Sequence, residues 1–178
     1  MRPESNLSCG LVALTGPEGS GKTAYQQALC KPAPGTSAGT CTPQRRAVWL
    51  DLGLPGLDQQ TPFDFWRAHQ SHWTDWHKPL QSDLVQALQL SEHVHKQLFM
   101  LSRGSRRKVG LVAILASGAS ISCLDQPYAA LDLASIEVIR AFLSDMAEHT
   151  SRTWLVADYE ADSGLPWRQH IQLPDRTA

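Results

Sequence analysis

Apolar and polar positions change rhythm several times along this 178-residue chain. The short continuous apolar run Leu11-Val12-Ala13-Leu14 predicts a strand over 10–16 that is buried on both sides. Ala24-Tyr25-Gln26-Gln27-Ala28-Leu29 carries no breaker and predicts a helix over 21–30. Turn and loop residues then dominate from Lys31 to Arg46. Ala47-Val48-Trp49-Leu50 is a second strand candidate, stopped by the broken stretch Gly53-Leu54-Pro55-Gly56. A largely helical segment is expected over 61–100, divided at Pro79 because proline rarely continues a helix interior.

Farther on, Val109, Val112, Ala113 and Ala116 keep helical spacing within 104–116, and Leu111, Ile114 and Leu115 widen the stripe. Ser117-Gly118 is a natural stop. Ser120 to Leu124 reads as a short apolar strand ending on Asp125. Asp132 is placed to cap a helix reaching about Ala147, with Ile136, Ile139, Phe142, Leu143 and Met146 on one face. Thr153 to Ala157 predicts another strand, and Ile171-Gln172-Leu173 a last one. Strands alternating with helices predict a single α/β domain over 1–178 with a largely parallel central sheet covered on both faces.

Composition narrows the class without naming it. A hydrophobic content of 42% and a charged content of 19% fit a soluble globular domain of one core. The net charge of −1, with no basic run longer than Arg106-Arg107-Lys108, argues against a nucleic-acid partner. No apolar stretch reaches membrane-spanning length, and the polar opening MRPESNLSCG does not suit a signal peptide. Cys9, Cys30, Cys41 and Cys123 are scattered without a C-x-x-C pair, which suits reduced structural thiols in a cytosolic protein.

The chemistry concentrates between the first strand and the first helix, in Gly16-Pro17-Glu18-Gly19-Ser20-Gly21-Lys22-Thr23. This fills the pattern G-x-x-x-x-G-K-[ST] in the strand–loop–helix context the motif needs. Glycines let successive backbone N–H groups turn inward onto phosphate oxygens, and the following helix adds its positive N-terminal end. Lys22 is expected against the β- and γ-phosphates, and the Thr23 hydroxyl on Mg²⁺. Downstream, the apolar run ending at Asp125 delivers a carboxylate to the edge of the sheet where ligands of open α/β folds bind. There it suits a second Mg²⁺ ligand.

Two further segments align with these. Leu101-Ser102-Arg103-Gly104-Ser105, followed by a helix, resembles the LSGGQ signature of ATP-binding cassette (ABC) ATPases. Asp125-Gln126-Pro127-Tyr128-Ala129-Ala130-Leu131-Asp132 resembles their Walker-B and D-loop segment. Ser102 and Asp125 are 23 positions apart, and Asp125 and Asp158 are 33 apart, both matching the family's spacing. Within the family, LSRGSRRKVGLVAIL and PYAALD are most similar to the ATPase subunit of the bacterial cytochrome c biogenesis haem exporter.

The resemblance implies a P-loop NTPase core with a helical insert at about 61–100. It further implies an ATP-binding subunit, cytoplasmic and held at the inner membrane by a permease subunit. A second ABC-type ATPase subunit, identical or different, would complete each ATP site. Ser102 and Gly104 would serve the site of that partner, while Gly16 to Thr23 and Asp125 would hold ATP and Mg²⁺.

Departures from the family pattern carry equal information. The glutamate that normally follows the Walker-B aspartate is Gln126, and the switch histidine aligns with Asp158. An amide hydrogen-bonds water but cannot take its proton, and a carboxylate repels phosphate. The Q-loop glutamine falls near Gly53 or Leu54, while Gln59 and Gln60 lie too close to Thr61 to replace it. Arg103 and Ser105 replace a glycine and the glutamine of the signature, and Arg103 could add charge-assisted hydrogen bonds to a partner's phosphate. The family's first strands, with the aromatic residue that stacks on adenine, are missing before Leu7, an N-terminal β-subdomain cut short. Impaired hydrolysis follows as the expectation, with a non-hydrolysing nucleotide sensor or scaffold paired to an active ATPase as the alternative. A small P-loop kinase accounts for the chain length but not for the signature spacing.

One aromatic-rich stretch stays open between two readings. Trp66, Trp73 and Trp76 recur at i, i+7 and i+10, with Phe63, Phe65, His69, His72 and His77 interleaved. On one helix they make either a face packed on the domain's own core or a docking face for a membrane subunit. His69 and His72 at i, i+3 lack the companions a metal site needs.

Overall fold

A computed structural model describes residues 7–31 and 46–175. Cys41 and nearly all of the expected loop between Lys31 and Arg46 lie outside the described residues. The elements run β1 (Gly10–Thr15), α1 (Lys22–Leu29), β2 (Ala47–Val48), α2 (Pro62–Gln70), α3 (Lys78–Ala87), α4 (Arg103–Ala116), β3 (Ile121–Asp125), α5 (Leu133–Asp145), β4 (Thr153–Asp158) and β5 (Gln169–Gln172). The five strands form one sheet in the order β2-β3-β4-β1-β5, and every pairing is parallel. This is the α/β architecture that the alternation of apolar runs predicts.

The continuous apolar strands are explained by two buried faces. Along β1, Val12 and Leu14 point to one side with Ile121, Cys123, Leu155 and Ala157, where Leu29 and Tyr25 of α1 cover them. Leu11 and Ala13 point the other way, with Leu124, Trp154 and Val156, under α2 to α5. Helix α4 is buried at every position from Lys108 to Ala116, as a helix apolar all round must be. Gly110 on it leaves room for Leu52, whose side chain lies 3.0 Å from where a Cβ would stand. That close approach seats the 51–54 segment against α4.

Side-chain hydrogen bonds then lock the layers together. The Gln26 amide in α1 is fully buried and donates to the carbonyl oxygens of Leu124 in β3 and Leu155 in β4, each at 3.1 Å. Helix starts follow ordinary capping chemistry: Thr61, Ser102 and Asp132 each accept the backbone N–H of the residue three places on.

The expected helical stretch at 61–100 is broken more than its composition suggests. Only α2 and α3 are α-helical, with short 3₁₀ turns at Ser91–His93 and Leu98–Met100. Pro79 falls in the first turn of α3, where its missing N–H costs nothing, so it opens a helix rather than interrupting one. Trp73 and Trp76 consequently sit in the turn between α2 and α3, not on one helical face with Trp66. Trp66 is core, 2% exposed, with Nε1 donating to Val109 O at 3.0 Å. Trp73 and Trp76 are partly buried and pack on the same cluster. β2 is two residues long rather than four, and β5 begins at Gln169, two residues earlier than expected.

Candidate functional site

Sequence and topology converge at the C-terminal edge of the sheet. Strand β1 ends at Thr15 and the chain turns through 16–21 before α1 starts. Gly19 and Gly21 hold positive φ, 76° and 97°, which glycine adopts without penalty. Gly21 precedes α1 at the cap position and offers no side-chain cap, so the first amides of the helix remain available to an anion. The Lys22 ammonium, 8% exposed, donates to Gly16 O at 2.6 Å and Pro17 O at 2.9 Å. It also lies 4.9 Å from the centre of the Tyr159 ring.

Across the sheet, Asp125 leaves the end of β3 and meets α1. Thr23 Oγ1 donates to Asp125 Oδ2 at 2.6 Å, joining the glycine loop to the strand-end carboxylate. Hard oxygen donors of this kind suit Mg²⁺, which typically takes one or two carboxylates plus phosphate and water. Among the described residues no cluster of three or more His, Cys, Asp or Glu is arranged to hold a metal by itself. Thr23 and Asp125 therefore fit an ion that arrives with phosphate oxygens.

A cavity of about 610 Å³ opens over this junction, lined by Glu18, Gly19, Gly21, Lys22 and Thr23 from the loop, by Asp125 at the end of β3 and by Gln126 just after it. Gly16, Pro17 and Ser20 do not line it. The first two supply carbonyls to Lys22, and Ser20 is buried beneath the loop. Gln126 holds a left-handed φ of 46°, its N–H donating to Ala157 O at 2.8 Å.

Asp158 is placed differently from the other candidates. Its carboxylate accepts the Tyr159 N–H at 2.8 Å and lines an adjoining cavity of about 440 Å³, with Tyr128, Arg140 and Trp167. Tyr159, the next residue, lines both that cavity and the loop pocket. In the adjoining cavity, burial foremost and the nearby Asp162 push the Tyr128 phenol well above its ordinary value. Ser102 and Gly104 line neither cavity. Ser102 caps α4 by accepting the Ser105 N–H at 3.1 Å, and Gly104 passes so close to Ala130 that a Cβ would lie 2.5 Å from its carbonyl oxygen.

Two pocket residues escape the motif reading. Asp51 lines the cavity, with Oδ1 accepting the Gly53 N–H at 2.8 Å, while Gly53 and Leu54 do not line it. Asp51 is the first carboxylate after the strand candidate at 47–50, so the rule that singled out Asp125 could have found it. Arg107 of α4 also lines the cavity, donating from Nη2 to Gln126 O at 2.5 Å and Asp125 O at 3.3 Å. Burial holds its pKa below the usual arginine value; Arg103 adds to the fall, and Asp125 and Asp51 oppose it.

Comparison with known proteins gives a concordant result. The model of the family described as ABC transporter matches residues 7–129. The cytochrome c biogenesis ATP-binding export protein CcmA of Nitrosospira multiformis is 28% identical over 93% of this chain and 86% of its own length. The protein of the same name from Paramagnetospirillum magneticum is 31% identical over 92% and 81%. Among solved structures, an ATP-binding protein of a putative ABC transporter from Pyrococcus furiosus superposes with a TM-score of 0.67 at 22% identity, over 92% of this chain and 84% of that one.

Proposed function

This chain belongs to the ABC transporter family, and we propose that it is an ATP-binding subunit that has kept its hold on nucleotide and lost much of its hydrolytic power. The hold rests on the loop. The free amides at the start of α1 and the Lys22 ammonium present positive charge to one cavity, and Thr23 and Asp125 present oxygen to the same space. Mg²⁺, when bound, would neutralise phosphate charge; Thr23 and Asp125 would hold it.

The observation that carries the loss is Gln126. It lines the cavity directly after Asp125, where a general base would have to stand. Its amide can orient water but cannot accept a proton, which removes a factor of roughly 10²–10⁴. Asp158 lines the adjoining cavity, so no side chain at the switch position lines the phosphate space. That placement also favours a second reading, a non-hydrolysing subunit that pairs with an active ABC ATPase and signals through nucleotide-dependent docking.

Partners follow from the family. A membrane permease would hold the chain at the cytoplasmic face of the membrane; no helix among the described residues is long and apolar enough to cross one. A second ATPase subunit would place its own P-loop against Ser102 and Gly104. The test is calorimetric ATP affinity with Mg²⁺, followed by turnover of the wild type and of Gln126→Glu combined with Asp158→His. Tight binding with turnover at least about 10²-fold below the double variant is expected. Wild-type turnover equal to the double variant would refute the impairment, and no ATP binding would refute the nucleotide reading itself.

A further inference from the structure

Arg107 is the cation in the pocket that no motif supplies. It comes from α4, the helix that Ser102 caps, and its guanidinium lines the cavity opposite the glycine loop, together with Asp51, Asp125 and Gln126. Two observations fix it there. Nη2 donates to the carbonyl oxygens of Asp125 and Gln126, tying the guanidinium to the turn that follows β3. Both bonds use Nη2, which leaves Nη1 uncommitted among the described residues, while Nε is buried without a hydrogen-bond partner. The carboxylates of Asp125 and Asp51 line the cavity with it, and Asp51 accepts the N–H of Gly53 in its own loop.

A fixed guanidinium with spare donors, aimed into a space already lined by Lys22 and Thr23, recognises a phosphate group. We infer that Arg107 binds the terminal phosphate of a nucleoside triphosphate within its own subunit, and so makes this pocket select triphosphate over diphosphate. The inference rests on the nucleotide reading above and deepens it. Lys22 and the loop amides grip the phosphate chain from the α1 side, and Arg107 closes the far end from α4. The ligand's negative charge then joins Asp125 and Asp51 as counter-charge to the guanidinium. Because the same side chain pins the Gln126 turn, occupation of the terminal position is felt directly by the helix that bears Ser102 and Gly104.

The test compares the non-hydrolysable β,γ-imido analogue of ATP with ADP, both with Mg²⁺, by calorimetry on the full chain. Wild type should prefer the triphosphate. Arg107→Ala should weaken the triphosphate by about tenfold or more, as loss of a charge-assisted contact does, and ADP by less than about threefold. Arg107→Lys keeps the charge but not the fork and should fall between, which gives a readable result even where the alanine variant folds poorly. If triphosphate and diphosphate weaken in parallel, Arg107 only positions the turn and the inference is overturned. If affinity is unchanged in both variants, it is likewise overturned, while the nucleotide reading stands. If wild type binds neither ligand, both fall together.

Discussion

Replacing Trp66 separates the two readings of the aromatic stretch more sharply than any other change. The indole is 2% exposed, packs in the large core cluster beneath the sheet, and donates through Nε1 to Val109 O on α4 at 3.0 Å. Trp66→Ala removes the whole ring from a packed interior, where such truncations cost about 3–5 kcal/mol. Trp66→Phe keeps most of the apolar body and deletes the N–H donor. Val109 O retains its place in the α4 hydrogen-bond ladder, so no acceptor is stranded and the cost should be nearer 0.5–1.5 kcal/mol. Against a total of about 5–15 kcal/mol for an ordinary domain, the alanine variant should survive weakened and the phenylalanine variant nearly intact. Urea titration followed by far-ultraviolet circular dichroism gives both values, with an unchanged slope certifying that the same transition is compared. A cost below about 1 kcal/mol for Trp66→Ala would mean that the ring is not core, and the docking reading would regain this residue.

Other perturbations test the frame around the site. Gly104→Ala sets two effects of opposite sign against each other: alanine favours helix by up to about 1 kcal/mol, but its Cβ would lie 2.5 Å from Ala130 O, a backbone atom that cannot yield cheaply. The clash should win and lower the melting temperature by a few degrees; a rise would show that the 126–132 loop gives way freely. His69 tests pH dependence, because burial, partly offset by a hydrogen bond with Phe65 O, holds its pKa below the ordinary 6.5. The folded state therefore disfavours its protonated form, so stability should fall as pH drops through about 6.5 and level off below the folded pKa. His69→Gln should flatten melting temperature between pH 5 and 7, and an unchanged slope would assign that dependence elsewhere.

The part of the fold legible beforehand is the part written in local pattern. Four apolar runs gave four strands of a parallel sheet, because strands buried on both faces must be continuously apolar. The glycine loop and Asp125 were legible too, since chemistry at a strand end is fixed by a few adjacent residues. Within 61–100 the helices were legible but the single aromatic face was not, for the converse reason. Its aromatic spacing satisfies a helix, yet Trp73 and Trp76 are held in a turn by contacts distant in sequence: Arg46 stacks over the Trp73 ring at 4.5 Å, and the His77 N–H reaches Ala116 O. Arg107 hid in a run that reads as an exposed basic first turn. Only the packing of α4 under β3 brings that one side chain to the Asp125 turn.

The Gln26 amide carries a mechanical consequence. By gripping one carbonyl on each of two neighbouring strands, it rivets α1 to the sheet at a point no water reaches. A helix fastened in this way does not swivel alone. The sheet and α1 form one slab against the helical layer opposite, so a displacement of either is passed whole to the other.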